Sequence, residues 1–251
     1  MEQKQQKRII KRESIQSQYL LETKEILIYL PPGYDETVTY PGLILHDGTD
    51  YFNLGRIATQ ASQMIINGEI IPLIMVAVPV NKEVRTAEYS PLGHRNQEHQ
   101  QFIVEELLPL LKERYPIDLS PQGLVIGGSS LGGTASLHLA LRYPQHFVKV
   151  LSQSGAFLEA TTEQIIQSPS LSYLTIYQSI GLSETAVSTH MGSLDLVTRN
   201  REIHRLLQEK HAHVHYREKE GDHTWGLWQK DLPEALTFFF GKDQPVNELA
   251  R

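Results

Sequence analysis

Short apolar runs alternate along the chain with segments whose apolar residues recur at helical spacing. The runs have the composition of strands buried on both faces, and they cover residues 25–30, 42–46, 73–80, 123–127, 148–152 and 174–179. Apolar residues at helical spacing, such as i, i+4, i+7 and i+8, predict helices at 57–65, 103–111, 198–210 and 232–240. A further helix is expected at 131–143, where Pro144 would end it. Alternating apolar and polar residues predict a last strand at 214–218. Strands that alternate with helices indicate an α/β fold with a mostly parallel central sheet and helices on both faces.

Prolines and polar residues add expectations for individual segments. Pro109 should kink or break its helix, because proline lacks an N–H group and clashes with the preceding turn. Asp231 is expected to cap the final helix, with Pro233 in its first turn. Residues 159–172 form an irregular segment with several Ser, Thr and Gln residues, which could be a short cap over a site.

Composition narrows the classes of function. Hydrophobic residues make up 40% and charged residues 21% of the 251 residues, which is ordinary globular usage, and residues 1–251 are expected to form a single domain. The net charge of −6 argues against nucleic acid as a partner, and the absence of Cys excludes disulfides, thiolate catalysis and iron–sulfur clusters. The polar start lacks a signal-peptide core, and the longest apolar stretch, 70–80, is too short to span a bilayer. We therefore expect a cytoplasmic protein without a membrane partner, and the sequence leaves a homodimer open.

The segment Gly128-Ser129-Ser130-Leu131-Gly132 matches the pattern G-x-S-x-G between a predicted strand and a predicted helix. This is the placement of a nucleophile elbow, a tight turn that exposes a serine hydroxyl. The residues two before and two after the serine must be small, and both are glycine here. Ser130 is therefore the candidate nucleophile, and the Leu131 N–H is a candidate oxyanion donor. The alternative is a glycine-rich turn without chemistry.

A serine hydroxyl is a weak nucleophile and needs a base beside it. His223 is the candidate base, because it lies in the loop between the last predicted strand and the last helix, at the edge of the sheet where the elbow lies. In this arrangement the acid precedes the histidine in the chain. Glu184 follows a strand end directly and is favoured; Asp195 is the alternative, and it could instead cap the helix after it. The chemistry requires no cofactor and no metal ion.

A second oxyanion donor is expected in the loop after the second apolar run. The Thr49 N–H is the candidate, and the Gly48 N–H is the alternative. Three further residues are candidates for substrate binding, namely Asp47 in the same loop, Arg85 after the third apolar run, and Trp225 near the candidate base. An internal ion pair is the competing explanation for Arg85, and core packing is the competing explanation for Trp225.

Several segments occur in the order found in one family of esterases. They are Tyr29-Leu30-Pro31-Pro32-Gly33-Tyr34, His46-Asp47-Gly48, RTAEYSP at 85–91, EELLP at 105–109, GSSLGG at 128–133, SQSG at 152–155 and GDH at 221–223. Together they resemble the esterases of the α/β-hydrolase fold that include enterochelin esterases, feruloyl esterases and S-formylglutathione hydrolase. The resemblance covers nearly the whole chain. It implies an α/β-hydrolase fold with a short cap or none.

The resemblance also implies a function. It indicates hydrolysis of a small or siderophore-like carboxylic ester through an acyl-serine intermediate, with Ser130 as nucleophile and His223 as base. Many members have Asp where this chain has Glu184. One alternative is an acyltransferase that uses the same residues, as in related mycolyl-transfer enzymes. Another is a catalytically silent binding module of the same fold, against which the intact elbow and histidine loop argue.

Overall fold

A computed structural model describes residues 7–189 and 192–242. Its strands, in chain order, are β1 (Ile9–Gln16), β2 (Thr23–Leu30), β3 (Tyr40–His46), β4 (Ile74–Val78), β5 (Ile117–Asp118), β6 (Leu124–Ser129), β7 (Lys149–Gln153), β8 (Thr175–Gly181), β9 (Val187–Thr189), β10 (Gly192–Leu194) and β11 (His213–Lys219). The helices are α1 (Gly48–Asn53), α2 (Ile57–Ile66), α3 (Arg85–Tyr89), α4 (Asn96–Gln101), α5 (Leu108–Arg114), α6 (Leu131–Arg142), α7 (Glu159–Gln167), α8 (Leu196–Glu209) and α9 (Trp225–Phe240). Among the described residues, no helix is long and apolar enough to cross a membrane.

One mixed sheet forms the centre of the described part of the chain. Its strand order is β1-β2-β4-β3-β6-β7-β8-β11, with the short β5 paired to β3. The pairs from β4 to β11 are all parallel, whereas β2 is antiparallel to both of its neighbours. The prediction of an α/β fold with a mostly parallel sheet is therefore confirmed.

Helices bury both faces of this sheet because successive strand residues point to opposite sides. Ile44 and Ile126 belong to the core cluster that packs against α6 and α8. Their neighbours Leu43 and Val125 belong to a second cluster, which packs against α2 and α9. Continuous apolar runs in the central strands follow from this double burial. The carboxyl ends of the parallel strands converge on one edge, where the loops that carry the candidate residues begin.

Regular α-helical hydrogen bonding is interrupted just before Pro109, as expected. Residues Phe102–Leu107 form a π-helical segment, and the Leu108 N–H donates to the Ile103 carbonyl five residues back. Pro109 then takes the second position of α5, where a missing N–H costs least. The chain therefore accommodates the proline by widening the turn in front of it.

The expectation that Asp231 caps the last helix is wrong. Helix α9 begins at Trp225, and Asp231 lies buried in its second turn. Trp228 lies four residues before Leu232 and extends the same buried stripe, so packing starts the helix earlier than the polar residue suggests. Pro233 lies inside the helix, and Gln60 Nε2 donates at 3.2 Å to the Gln229 carbonyl that the proline leaves unpaired.

Residues 159–172 are not an irregular cap. Most of the segment forms α7, whose buried residues Thr161 and Ile165 pack inward, and α7 contacts α8. The hairpin of β9 and β10, which the apolar pattern does not predict, lies nearer to the candidate residues, and Val187 and Leu194 line a pocket beside Ser130.

Candidate active site

Ser130 occupies the turn between β6 and α6, with φ 54° and ψ −126°. Residues with side chains rarely adopt positive φ, and such strained conformations cluster at functional sites. A Cβ on Gly128 would lie 2.4 Å from the carbonyl carbon of Gly132, and a Cβ on Gly132 would lie 2.9 Å from Oδ2 of Asp47. The close approach of β6 and α6 therefore requires Gly128, and the approach of α6 to the loop after β3 favours Gly132. The Ser130 N–H donates to the Gln153 carbonyl at 2.8 Å, which anchors the turn to β7.

Three residues singled out in the sequence lie in one hydrogen-bonded line. Nε2 of His223 is 2.8 Å from Oγ of Ser130, and Nδ1 of His223 is 2.6 Å from Oε2 of Glu184. Ser130 follows β6, Glu184 follows β8 and His223 follows β11, so each comes from the carboxyl end of a parallel strand. With a proton on Nδ1, the imidazole donates to the carboxylate, and its Nε2 can accept the proton of the serine hydroxyl.

Both oxygens of the buried Glu184 side chain are hydrogen-bonded. Oε1 accepts from the Ser154 hydroxyl at 2.6 Å and from the Gly181 N–H at 2.8 Å. The Ser154 hydroxyl in turn accepts from Nε1–H of Trp228 at 2.8 Å. These donors fix the carboxylate with Oε2 directed at His223. Sequence reasoning missed the role of Ser154, although this serine lies in one of the segments that carry the family resemblance.

Asp195, the alternative acid, caps a helix instead. It is exposed at the N-terminus of α8, where its carboxylate accepts from the Thr198 N–H at 3.0 Å and from the Thr198 hydroxyl at 2.7 Å. These hydrogen bonds lower the pKa of the Asp195 carboxyl group. The carboxylate that contacts His223 belongs to Glu184.

The candidate oxyanion donors lie in the first turns of two helices. Leu131 begins α6, and Gly48 begins α1. The first N–H groups of a helix have no partner within that helix, so they can bind an anion. Thr49 lines a cleft together with Ser130, whereas a Cβ on Gly48 would lie 2.3 Å from Cα of Ala77 in β4. Gly48 therefore packs against the sheet, and Thr49 faces the cleft.

Asp47 and Arg85 form an ion pair at the wall of the same cleft. Nε and Nη2 of Arg85 donate to the two carboxylate oxygens of Asp47, both at 2.7 Å. Burial lowers the pKa of the Arg85 guanidinium, but the hydrogen bonds and charge of Asp47 outweigh burial and raise it. The Asp47 N–H donates to the hydroxyl of Tyr89 at 3.1 Å. Arg85 thus lines the cleft and also fixes the loop that precedes Thr49.

Trp225 packs against neighbouring aromatic rings and also lines the cleft. Its ring packs edge-to-face against Tyr51 and Trp228, with centroid distances of 4.9 and 5.1 Å. Trp228 in turn lies edge-to-face against His223, with a centroid distance of 5.0 Å. Both indoles also line the cleft, so packing holds an aromatic wall beside the imidazole.

Two buried histidines near the site are poor candidates for the base. Nδ1 of His46 lies 2.9 Å from Oγ of Ser136, and its Nε2 lies 3.0 Å from Nε2 of His99. Burial lowers the pKa of His46 to about 3 and holds the pKa of His99 well below its usual value. Both imidazoles are therefore neutral at neutral pH and serve the hydrogen bonding of the core. Across residues 7–189 and 192–242, no three His, Asp or Glu side chains are grouped to hold a metal ion.

Two cavities meet at Ser130 and His223. The first is an open cleft of about 540 Å³ with charged and aromatic walls, which include Asp47, Asp50, Lys82, Arg85, Trp225 and Trp228. The second is a pocket of about 230 Å³ whose lining includes Leu131, Ala156, Leu158, Val187 and Leu194. A carbonyl group held at Ser130 therefore has space for a substituent on either side.

The chain is similar to several known proteins. The model of the family described as "Putative esterase" matches residues 17–239. The uncharacterised protein YjcH of Bacillus subtilis is 37% identical over 223 residues, which cover 88% of this chain and 92% of that protein. The iron(III) enterobactin esterase of Dickeya dadantii is 27% identical over 162 residues, covering 57% of this chain and 35% of that protein. A solved ferulic acid esterase has the same fold, with a TM-score of 0.80 at 16% identity, covering 93% of this chain and 98% of that chain.

The family match extends over most of the sheet, the elbow and the histidine loop, so it includes the residues on which the site is built. The relative from Dickeya dadantii is also an esterase by name. The chain therefore belongs to the esterase family of the α/β-hydrolase fold and is a carboxylic-ester hydrolase.

Proposed function

We propose that this esterase works through an acyl-serine intermediate on Ser130, with His223 as general base and acid. The observation that carries the proposal is the continuous contact from Ser130 Oγ to His223 Nε2 at 2.8 Å and from His223 Nδ1 to Glu184 at 2.6 Å. A serine hydroxyl becomes nucleophilic when an oriented imidazole takes its proton. The Glu184 carboxylate orients the imidazole and stabilises the imidazolium without taking the proton itself.

In the first half of the reaction, Oγ of Ser130 attacks the ester carbonyl carbon while its proton moves to Nε2 of His223. The carbonyl oxygen becomes an oxyanion, which the N–H groups of Leu131 and Thr49 stabilise by hydrogen bonds, with the Gly48 N–H as the alternative donor. When the tetrahedral intermediate collapses, the C–O bond to the alcohol breaks. The imidazolium gives its proton to the departing alkoxide, so a neutral alcohol leaves an acyl-serine.

In the second half, water replaces the alcohol. His223 takes a proton from the water as it attacks the acyl carbon, and the same N–H groups stabilise the second oxyanion. Collapse breaks the bond to Oγ, and the proton returns from His223 to Ser130. The products are the free acid and the enzyme in its starting state, so no cofactor or metal ion enters the balance.

The substrate class that we propose is a small or siderophore-like ester. The open cleft of about 540 Å³ supports it, because Trp225 gives the cleft an aromatic wall and the Asp47–Arg85 pair gives it polar groups that can position a substrate. The relationship to an iron(III) enterobactin esterase gives the siderophore-like ester as one case. A cytoplasmic location and a homodimer stay predictions from the sequence.

A serine-reactive fluorophosphonate tests the mechanism directly. The folded protein should be labelled once, on the peptide that contains Ser130, and the label should be absent from Ser130→Ala. Labelling of His223→Ala should be slower by several orders of magnitude, since the hydroxyl then lacks its base. A wild-type protein that remains unlabelled while p-nitrophenyl acetate also remains intact would contradict the acyl-serine mechanism and favour a silent binding module.

A further inference from the structure

The smaller cavity beside Ser130 has an apolar wall that is continuous with the protein core. Ala156 belongs to a buried cluster with Ile180 and Leu196, and the half-buried Val187 and Leu194 pack against that cluster. The exposed faces of Ala156, Val187 and Leu194 line the cavity. Because the core supports these side chains from behind, the wall keeps its shape when the cavity is empty.

Elements on either side of the elbow complete the pocket. Leu131, the first residue of α6, and Leu158, just before α7, contribute further apolar surface. Four small hydroxyl-bearing residues also line it, namely Thr86, Ser90, Ser188 and Thr189. Arg85 also lines the pocket, and its charge is paired with Asp47.

The two cavities therefore differ in chemistry although both reach Ser130 and His223. The larger cleft contains Asp50 and Lys82 as well as the ion pair, so a hydrocarbon chain placed there would cover charged groups. The smaller pocket offers a hydrocarbon chain mostly apolar contacts and removes it from water.

We propose that the smaller pocket binds a short hydrocarbon chain that forms one arm of the ester, while the polar or aromatic arm lies in the larger cleft. This inference rests on the proposed acyl-serine mechanism, because it places the scissile carbonyl at Ser130 between the two cavities. The substrate class is then an ester with one apolar arm and one polar or aromatic arm.

The size of the pocket sets the length of the arm. A volume of about 230 Å³ corresponds to about eight water-sized heavy atoms, at roughly 30 Å³ for each. Each methylene that leaves water should raise kcat/KM by up to about fourfold. The gain should therefore continue to a chain of about six to eight carbons and then stop, because further carbons extend into solvent.

Two ester series distinguish which arm occupies the pocket. In the first, the alcohol is p-nitrophenol and the acyl chain grows from acetate to dodecanoate. In the second, the acyl group is acetate and the alcohol grows from methanol to dodecanol, with hydrolysis followed by acid release. We expect kcat/KM to rise at least about tenfold along one series, between two and six carbons, and to reach a plateau near eight.

Two variants alter the pocket in different ways, so that a folding failure of one leaves the other informative. Val187→Phe fills the pocket, and Leu194→Asn replaces apolar surface with an amide. In the wild type, kcat/KM for the six-carbon ester should exceed that for the two-carbon ester by at least about tenfold. In either variant this preference should fall to about threefold or less. Val38→Phe is the matched control, since Val38 is 47% exposed on a turn before β3 and does not line the pocket.

The outcomes separate this inference from the mechanism on which it rests. A flat chain-length profile in both series, with acetate hydrolysed by wild type and not by Ser130→Ala, would overturn the apolar-arm assignment and leave the mechanism standing. A steep profile that Val187→Phe and Leu194→Asn leave unchanged would also overturn it. A wild-type enzyme that hydrolyses no member of either series would overturn the proposed mechanism and this inference together.

Discussion

At the scale of single residues, hydrogen bonds hold the Glu184 carboxylate in one orientation. One oxygen receives the Ser154 hydroxyl and the Gly181 N–H, and the other faces His223. A buried carboxylate is stable only when its oxygens are hydrogen-bonded or paired with charge, and Glu184 meets that requirement with its orientation fixed. The spacing of residues along the chain does not reveal these hydrogen bonds, which direct the carboxylate at His223.

The choice between the two candidate acids gives the first prediction. Glu184→Gln should lower kcat by about 10³-fold or more, because an amide cannot hold the imidazole in the required tautomer. Asp195→Ala should lower the free energy of unfolding by about 1 kcal/mol through loss of the helix cap and leave kcat/KM within about twofold. Steady-state kinetics and urea unfolding on both variants decide it, and a large loss of activity in Asp195→Ala alone would reverse the assignment.

Ser154 gives a second prediction at this scale, as a positioning residue that acts through Glu184. Ser154→Ala should lower kcat about tenfold, the equivalent of one hydrogen bond to a charged group, and leave KM within about twofold. Trp228→Phe removes the N–H donor to Ser154 together with part of the ring that packs against His223, so Ser154→Ala is the more specific variant. Ser168→Ala, at the end of α7, is the control. Equal losses in kcat and in binding would show that Ser154 supports only the local fold.

At the scale of elements, apolar pattern predicts the buried helices and strands well and the exposed ones poorly. The central strands and α6 come within a few residues of their predicted ranges because burial on both sides dictates their composition. The apolar pattern does not predict β1, because β1 is an edge strand whose residues are mostly exposed and mostly polar. The β9–β10 hairpin escapes for the same reason, as its residues are half-buried or exposed where described.

Helix α6 carries a buried histidine that makes stability depend on pH. Nε2 of His138 lies 2.9 Å from the Thr161 hydroxyl, and burial lowers the pKa of His138 from 6.5 to about 4. In the unfolded chain this group takes up a proton below about pH 6.5, whereas in the folded protein it does so only near pH 4. Its stabilising contribution is therefore complete above pH 6.5 and decreases as the pH falls toward 4.

The third prediction follows from this difference. As the pH falls from 6.5 to 4.5, the free energy of unfolding should decrease less in His138→Gln than in wild type. The two slopes should differ by up to about 1.4 kcal/mol per pH unit. Urea unfolding at several pH values measures it, with the exposed His94→Gln as control. A variant whose stability falls as steeply with acid as that of wild type would show that other groups cause the loss.

At the scale of the whole molecule, a parallel sheet brings together residues that are far apart in the sequence. Ser130, Glu184 and His223 meet because each follows the carboxyl end of a strand in one sheet. Strand order and loop placement therefore allow the sequence to predict the nucleophile and the base. The hydrogen bonds that support these residues could not be predicted from the sequence, because they depend on packing between distant segments. For example, the Gln153 carbonyl accepts from the Ser130 N–H, and the Gln153 side chain donates to the buried Asp231.

The most direct test of the account compares two adjacent serines. We expect Ser130→Ala to lower kcat/KM for p-nitrophenyl butyrate by at least about 10³-fold, because it removes the nucleophile. Ser129→Ala should lower it by no more than about tenfold, since the hydroxyl that hydrogen-bonds to Nε2 of His223 is that of Ser130. Circular dichroism should show that both variants are folded. A folded Ser130→Ala that keeps more than about a hundredth of the wild-type rate, or a Ser129→Ala that loses activity to the same extent, would contradict the assignment of Ser130 as the nucleophile.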